Sequence, residues 1–249
     1  MQNKIEKIKT NSGIMDVYIS WLESDKPLPV VFMYHNVGGQ SELLKRMADR
    51  VAMNGYYCVL PDLYYRLGKI VIDPDSKNQH VLALRKTVLE SLSDANVIDD
   101  VSSVLDFIKS DSLALDGEMG SVGFCMGGRF VVQVAAHFPE IFIANGSLFG
   151  TKMITEAQDS PHRLLNRLKG EIYFGFAEHD YALPPDKAKE FIGYLTSTCM
   201  ATFNVENHPD AHHGYSFPGR PVYQEAAAEK SWSQIFDIFQ RQLKRGHNE

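Results

Sequence analysis

Cysteine is scarce in this sequence, and long apolar runs are missing. The 249 residues include three cysteines, Cys58, Cys125 and Cys199. So odd and sparse a set excludes a disulfide framework and predicts free thiols in a reducing cytoplasm. No apolar run approaches the roughly 18 residues that a membrane span requires. Residues 1–13 also lack the apolar core of a signal peptide. These absences predict a soluble chain without a membrane partner.

Basic residues are in the minority. Lysine and arginine number 25 against 31 aspartates and glutamates, which gives a formal net charge of −6. A nucleic-acid partner needs a basic face for its phosphates, so this balance argues against one. The sequence contains neither an internal repeat nor a low-complexity linker. Its length suits a single domain over residues 1–249, and both a monomer and a homodimer remain open.

Strand-like and helix-like segments alternate along the chain. Continuous apolar runs such as 28–35 are typical of strands buried on both faces, and other segments repeat apolar residues at helical spacing. The alternation predicts an α/β fold with a mostly parallel central sheet and helices on both faces. Residues 64–93 are polar and broken, and we expect a loop and helix over the site there. The pattern predicts strands at 4–10, 15–22, 28–35, 56–63, 118–124, 141–150, 171–178 and 200–208, and helices at 41–55, 94–110, 126–138, 161–169, 184–197 and from Pro221 onward.

One cysteine lies at a crowded turn. In Gly123-Phe124-Cys125-Met126-Gly127 a strand pattern ends and a helix pattern begins at once. Flanking glycines leave room for a tight bend, and Gly-x-Ser-x-Gly in this context is the nucleophile elbow of α/β-hydrolases. Cysteine in the place of serine predicts a thiol nucleophile at a helix N-terminus, where a thiolate is favoured. A buried cysteine in a packing turn is the alternative that the motif alone leaves open.

A nucleophile of this kind needs a base and an acid that orients the base. In this fold the chain order is nucleophile, acid, histidine. Glu178 and Asp180 both follow the strand predicted at 171–178. We choose Asp180 because it lies farther past the strand, just before Pro184 and Pro185 start a helix. The alternative is that Glu178 orients the base and Asp180 caps that helix.

Three histidines follow the strand predicted at 200–208, and any of them could be the base. We choose His213 because Gly214 follows it and lets the loop orient the ring. His208 and His212 are expected to be solvated loop residues. Their i, i+4 spacing would suit a metal ion only on a helix, which Pro209 excludes, so no metal site is expected.

With these motifs the sequence resembles the dienelactone hydrolase family of α/β-hydrolases over roughly residues 13–245. The resemblance implies a triad of Cys125, Asp180 and His213 that hydrolyses an ester or lactone without a cofactor. It also implies an oxyanion hole made by the backbone N–H groups of Met126 and Asn36. The marks that carry the resemblance are GFCMGG at 123–128, LPDLYYR at 60–66, EHDYALPP at 178–185 and HHGYSFPGRP at 212–221.

Two positions depart from the family pattern and weaken dienelactone itself as the substrate. Where family members place a carboxylate beside the resting cysteine, this sequence has His35. A protonated imidazole there would favour a thiolate at Cys125, unless the ring turns away to a backbone group. Family members also carry an arginine four residues after the histidine, where this sequence has Phe217. Arg220 is the nearest candidate to bind a substrate carboxylate, and a structural ion pair is its alternative.

The sequence thus predicts a carboxylic ester hydrolase that forms an acyl-enzyme and acts on a small-molecule ester or lactone. Two alternatives stay open. One is another acyl-transfer reaction on the same triad, such as thioester hydrolysis. The other is a redox-sensing thiol protein on a hydrolase scaffold, which would turn over no ester.

Overall fold

The computed structural model describes residues 1–244, and the chain divides into two compact units, Met1–Gly117 and Glu118–Glu249. The described residues contain eight strands and seven α-helices. None of these helices is long and apolar enough to span a bilayer. The last five residues of the predicted domain 1–249 lie outside the described residues.

The first unit opens with a hairpin of β1 (Gln2–Thr10) and β2 (Gly13–Trp21). Strand β2 pairs antiparallel with β4 (Tyr57–Pro61), and β4 pairs parallel with β3 (Leu28–Tyr34). The order in this unit is therefore β1-β2-β4-β3. Strand β3 is almost entirely buried, which confirms the strand expected from its apolar run.

Three helices belong to the first unit. Helix α1 (Glu42–Met53) connects β3 to β4, and the hydroxyl of Ser41 caps it by accepting the N–H of Leu44. The predicted loop and helix over 64–93 consist of a short 3₁₀ turn, an irregular stretch and α2 (Gln79–Ser91). Helix α3 (Asp94–Ile108) buries the apolar stripe that its spacing predicts.

The second unit is built on parallel strands. Strand β5 (Ala114–Phe124) starts in the last residues of the first unit and pairs with β6 (Phe142–Leu148) from Met119 onward. Then follow β7 (Glu171–His179) and β8 (Thr202–His212), in the order β5-β6-β7-β8. Parallel strands connected by helices confirm the predicted α/β class. The helices are α4 (Met126–His137), α5 (Pro161–Leu164), α6 (Pro185–Thr198) and α7 (Glu225–Leu243).

Strand β8 extends four residues beyond its predicted end. Ala177 pairs with His208 and His179 pairs with His212, so two steps along β7 match four steps along β8. The extra residues form a bulge in which Asp210 has a φ of 56°. The expectation that His208 is a solvated loop residue is therefore wrong. It lies in the strand and is only 4% exposed, whereas His212 is exposed.

The final helix starts later than expected. The prediction of a helix from Pro221 is wrong, because α7 begins at Glu225. The N–H of Gln224 donates to the carbonyl oxygen of Tyr215 at 3.0 Å. This bond ties the chain before α7 to the loop that follows β8 and keeps these residues out of the helix.

Candidate active site

Cys125 lies between the last residue of β5 and the first residue of α4, with a φ of 58° and a ψ of −119°. The turn is crowded on both sides. A Cβ atom at Gly123 would lie 2.1 Å from the carbonyl oxygen of Gly127, and one at Gly128 would lie 2.9 Å from the Cα of Gly150. Only glycine fits these positions, so the strand–turn–helix context predicted for the motif is confirmed.

Backbone hydrogen bonds fix this turn to its surroundings. The N–H of Cys125 donates to the carbonyl oxygen of Leu148 at 3.0 Å, at the end of β6. The carbonyl oxygen of Cys125 accepts the N–H of Gly128 at 3.0 Å and that of Thr151 at 3.1 Å. The thiol is thereby held at the N-terminus of α4, where unpaired N–H groups favour negative charge.

Asp180 and His213 follow neighbouring strands and meet each other. Nδ1 of His213 lies 2.9 Å from each carboxylate oxygen of Asp180, and both side chains are nearly inaccessible to solvent. The N–H groups of Ala182 and Leu183 donate to Oδ1 of Asp180 at 2.7 and 3.2 Å. The carboxylate is thus held from both sides and orients the imidazole ring.

The alternatives that the sequence left open lie elsewhere in the second unit. Glu178 accepts the backbone N–H of Asp210 at 2.8 Å. His212 is exposed, and its ring lies 5.3 Å from the ring of His179. His208 is buried and contacts other polar side chains. The structure thus brings Asp180 together with His213 and not with the other two histidines.

The pKa values of Cys125 and His213 shift in opposite directions. Burial alone would raise the pKa of Cys125, but the charge of His213 and hydrogen bonds from His213 and the N–H of Met126 lower it. Burial alone would lower the pKa of His213, but the Cys125 charge and the bond to Asp180 raise it. Nε2 of His213 has no nitrogen or oxygen partner within residues 1–244. Compared with the isolated side chains, the arrangement favours the thiolate of Cys125 beside the imidazolium of His213.

Two aromatic rings flank the imidazole of His213. The buried ring of Phe149 meets it edge-on at 5.1 Å between centroids, and the ring of Tyr181 lies at 5.0 Å. Tyr181 is 79% exposed, so an aromatic surface beside the histidine faces solvent. Sequence reasoning missed Tyr181, although its place directly after Asp180 is a usable signal. Phe217, at the position where family members carry an arginine, is fully buried, and its ring lies 5.6 Å from that of Phe149.

Arg220 lies beside the residue that follows His213. A Cβ atom at Gly214 would come within 2.3 Å of a guanidinium nitrogen of Arg220, so the guanidinium packs on the glycine backbone. The guanidinium also lies 5.7 Å from the ring centroid of Phe217. Gly214 has a φ of 92°, which favours glycine at this position independently. The positive charge predicted for this loop is therefore present next to His213.

His35 differs from the expectation of a protonated ring. It is fully buried in the first unit, with Nδ1 2.7 Å from the carbonyl oxygen of Asn36 and Nε2 accepting the N–H of Leu63 at 3.1 Å. These bonds require the neutral ring with its proton on Nδ1. Burial lowers its pKa to about 4. The ring thus turns to backbone groups, which was the stated alternative.

Asn36 belongs to a loop that is ordered by its own hydrogen bonds. Its side-chain oxygen accepts the N–H of Gly38 at 2.9 Å, and its carbonyl oxygen accepts the N–H of Gly39 at 3.1 Å. The residue is 4% exposed. With the ring of His35 bound to the same carbonyl oxygen, this loop of the first unit has a defined backbone conformation.

A group of possible metal ligands lies at the ends of β7 and β8. Within residues 1–244, one ligand atom each of Glu178, His179 and Asp210 lies within 4.8 Å of the others. His179 and Asp210 are exposed, and the Glu178 carboxylate is already bonded to the N–H of Asp210. Surface acidic groups commonly meet in this way without an ion.

Parallel strands that lead to an elbow cysteine, a buried aspartate and a buried histidine define an enzyme of the α/β-hydrolase class. A solved structure agrees with this fold. A Klebsiella pneumoniae protein provisionally named dienelactone hydrolase has a TM-score of 0.85 and 24% sequence identity, covering 96% of this chain and 98% of that one.

The chain belongs to the dienelactone hydrolase family, whose model matches residues 15–243. A Methylorubrum extorquens protein provisionally named carboxymethylenebutenolidase is 26% identical over 94% of this chain and 79% of its own. A mouse carboxymethylenebutenolidase homolog is 28% identical over 80% of this chain and 74% of its own. The chain is therefore a hydrolase of the dienelactone hydrolase type.

Proposed function

We propose that this chain hydrolyses a small carboxylic ester or lactone by nucleophilic catalysis. Cys125 is the nucleophile, His213 the general acid and base, and Asp180 the residue that orients His213. The observation that carries the proposal is the contact of the His213 Nδ1 with both Asp180 oxygens at 2.9 Å. The lowered pKa of Cys125 supports it, because the thiolate is the reactive form.

The first half of the proposed reaction forms a thioester. The thiolate sulfur of Cys125 attacks the carbonyl carbon, and the carbonyl π electrons move onto oxygen. The backbone N–H of Met126, the residue directly after the nucleophile, is the donor that we expect to stabilise that oxyanion. As the intermediate collapses, the carbon–oxygen single bond breaks and the His213 imidazolium gives its proton to the departing alkoxide. In a lactone this alkoxide stays attached to the acyl group.

The second half releases the acid. Neutral His213 takes a proton from water, and the hydroxide oxygen attacks the thioester carbonyl. The carbon–sulfur bond then breaks, which returns the thiolate and the imidazolium. Asp180 remains a carboxylate throughout and stabilises the charged ring. The cycle needs no metal and no cofactor.

The substrate class follows from two side chains near His213. The guanidinium of Arg220 beside Gly214 supports recognition of an ester that carries a carboxylate, which a guanidinium binds through two parallel hydrogen bonds. The exposed ring of Tyr181 offers an apolar face to a planar acyl or alcohol group. We place the reaction in a reducing cytoplasm, in a monomer or homodimer without nucleic-acid or membrane partners.

A panel of small esters and lactones tests the proposal. Purified wild type should turn over at least one p-nitrophenyl ester or lactone, and Cys125→Ala should not. Cys199→Ala is the matched control, since burial raises the pKa of that thiol, which donates to the carbonyl oxygen of Ala201. Equal turnover by wild type and Cys125→Ala would refute the nucleophile.

The same panel separates the two alternatives. Thioesters cleaved much faster than matched oxygen esters would indicate a thioesterase on the same triad. Absence of all turnover, together with rapid oxidation of Cys125 by peroxide, would indicate a redox-sensing thiol.

A further inference from the structure

A buried cluster of polar side chains lies in the second unit, and the proposed reaction does not use it. Oγ of Ser231 on α7 lies 2.8 Å from the hydroxyl of Tyr215, 3.0 Å from Nε2 of His208 and 3.2 Å from the hydroxyl of Tyr173. The exposed fraction is 0% for Ser231, Tyr215 and Tyr173 and 4% for His208. We name these four residues the Ser231 cluster.

The cluster is polarised from one side. The hydroxyl of Tyr173 donates to the carboxylate of Glu206 at 2.9 Å, and the other oxygen of Glu206 pairs with Lys230 at 2.9 Å. Because the Tyr173 proton is used in this way, Tyr173 offers Ser231 mainly its lone pairs.

Ser231 has one proton to share among its remaining contacts. Burial lowers the pKa of His208, which favours its neutral ring. The Tyr215 hydroxyl can donate to Ser231, and the Ser231 proton then serves either Tyr173 or Nε2 of His208, which itself lies 3.1 Å from the hydroxyl of Tyr173. Each of these buried groups has a partner, and removing one would leave a buried polar group without its hydrogen bond.

The cluster reaches the catalytic loop through Tyr215, which follows His213 by two residues. The ring of Phe149 packs edge-on against both His213 and Tyr215, at 5.1 and 5.2 Å. The N–H of Tyr215 donates to the carbonyl oxygen of His212 at 3.1 Å. The hydroxyl of Tyr215 lies so close to Gly175 that a Cβ there would be 2.5 Å away. Tyr215 is thus held at its backbone, its ring and its hydroxyl.

A ring held only by Asp180 can still pivot about that contact, and a pivot moves the far nitrogen Nε2. We propose that Ser231 and Tyr215 are positioning residues for the hydrolysis. By anchoring the loop after β8 to α7, they keep the His213 ring in the orientation that the triad requires. This inference rests on the proposed function.

Two variants test it. Tyr215→Phe removes one oxygen and keeps the ring packing, and Ser231→Ala removes the central hydroxyl. We expect kcat to fall roughly tenfold to hundredfold in each, because small displacements of catalytic groups are costly, while KM stays within about twofold. The double variant should lose little more than either single variant, because both break the same anchor.

A second readout does not depend on ester turnover. The pH dependence of Cys125 alkylation by iodoacetamide reports the stability of the thiolate beside His213. We expect the apparent thiol pKa to rise in both variants, because a displaced imidazolium stabilises the thiolate less.

Two control variants lose a comparable buried hydroxyl away from this loop. Ser121→Ala removes a fully buried serine bonded to Asn145 at 2.7 Å. Tyr57→Phe removes a hydroxyl bonded to Asp111 at 2.7 Å in the first unit. Both controls should lower the temperature of unfolding and leave kcat and the alkylation profile at wild-type values.

The proposal is overturned if Tyr215→Phe loses stability but keeps wild-type kcat and alkylation, since the cluster would then be purely structural. It is also overturned if the controls shift the thiol pKa as much. Should Ser231→Ala fail to fold, Tyr215→Phe decides alone. If the wild type has a lowered thiol pKa but hydrolyses no ester, the proposed function is refuted. The alkylation measurements would still show whether Ser231 and Tyr215 position His213.

Discussion

His213 in the second unit and His35 in the first unit are both buried, with exposed fractions of 6% and 0%, yet their pKa values move in opposite directions. Burial disfavours the charged form of each ring. At His213 the charge of Cys125 and the bond to Asp180 overcome that effect and raise the pKa. At His35 burial prevails and lowers the pKa to about 4. Charged neighbours, and not depth in the protein, decide which ring carries a proton.

The partners of the two rings explain the difference in use. His35 lies between one carbonyl oxygen and one N–H, and a neutral ring with one donor and one acceptor satisfies both. A second proton on His35 would repel the N–H of Leu63. His213 has a carboxylate on one side and a thiol on the other, so the proton can move during a reaction. One histidine serves to fix a loop, and the other is suited to proton transfer.

Removal of the Cys125 thiol should have the largest effect, because it takes away one of the two partners that distinguish His213 from His35. In Cys125→Ala we expect activity to fall by about 10⁴-fold or more, because the nucleophile is gone. The pKa of His213 should also fall, since the thiolate charge is among the causes that raise it. Ester kinetics and an NMR titration of the imidazole protons measure the two effects. An unchanged His213 pKa would mean that Asp180 alone keeps the ring charged.

Removal of the carboxylate charge tests the other partner. Asp180→Asn should lower kcat by about 10³–10⁴-fold with a small change in KM, because an amide no longer holds the ring in the required tautomer. Glu178→Gln is the matched control and should stay within about twofold of wild type. Inactive Glu178→Gln beside active Asp180→Asn would reverse the assignment of the acid.

The pH dependence of the free energy of unfolding tests the lowered pKa of His35. Its folded pKa of about 4 lies below the unfolded value of 6.5, so the unfolded chain binds an extra proton between these pH values. The resulting stabilisation is present above pH 6.5 and is lost as pH falls towards 4, by roughly 3 kcal/mol. His213 has the opposite sign, because its raised pKa gives a contribution that is lost as pH rises.

Urea unfolding at several pH values checks this prediction. Between pH 7 and pH 4, the free energy of unfolding of His35→Gln should fall by roughly 3 kcal/mol less than that of wild type, because glutamine does not titrate. Its Cys125 alkylation profile should match wild type. Parallel stability curves for the two proteins would contradict a neutral His35, and a raised thiol pKa would restore the charged role first expected from the sequence.

The smallest expected effect is on KM, and it tests whether the positive charge of Arg220 binds a substrate carboxylate. Arg220→Ala should raise KM about tenfold for esters that carry a carboxylate and leave KM for neutral esters unchanged, as expected for loss of a charge-assisted contact. Arg163→Ala, an exposed arginine on α5, is the control. Equal changes for charged and neutral esters would assign Arg220 a structural role.

The elbow turn and the contact between Asp180 and His213 could be predicted because their signals are local. Gly-x-Cys-x-Gly between a strand and a helix pattern locates the turn, and the clash distance at Gly123 shows why glycine is needed. Asp180 and His213 each lie past the predicted end of a strand, and the carboxyl ends of neighbouring parallel strands meet at one edge. The choice among the candidates there used Pro184 and Pro185 after Asp180 and Gly214 after His213.

The charge of His35 and the burial of His208 could not be predicted in the same way. The acceptor role of His35 depends on the N–H of Leu63, which is 28 residues away in sequence. The strand predicted at 200–208 stops before Pro209, but a bulge accommodates the proline and β8 continues to His212. Ser231 offered a weak signal that was missed, since a serine next to Trp232 on the apolar face of α7 implies a buried polar partner.

The backbone conformation of Cys125 costs folding stability at the position of the proposed nucleophile. A φ of 58° is unfavourable for a residue with a side chain, at a cost of about 1–3 kcal/mol, and glycine would relieve it. Selection for heat resistance alone should therefore favour glycine at position 125, which would remove the proposed nucleophile. A cysteine under this strain is worth keeping only if the proposed chemistry of its sulfur is needed.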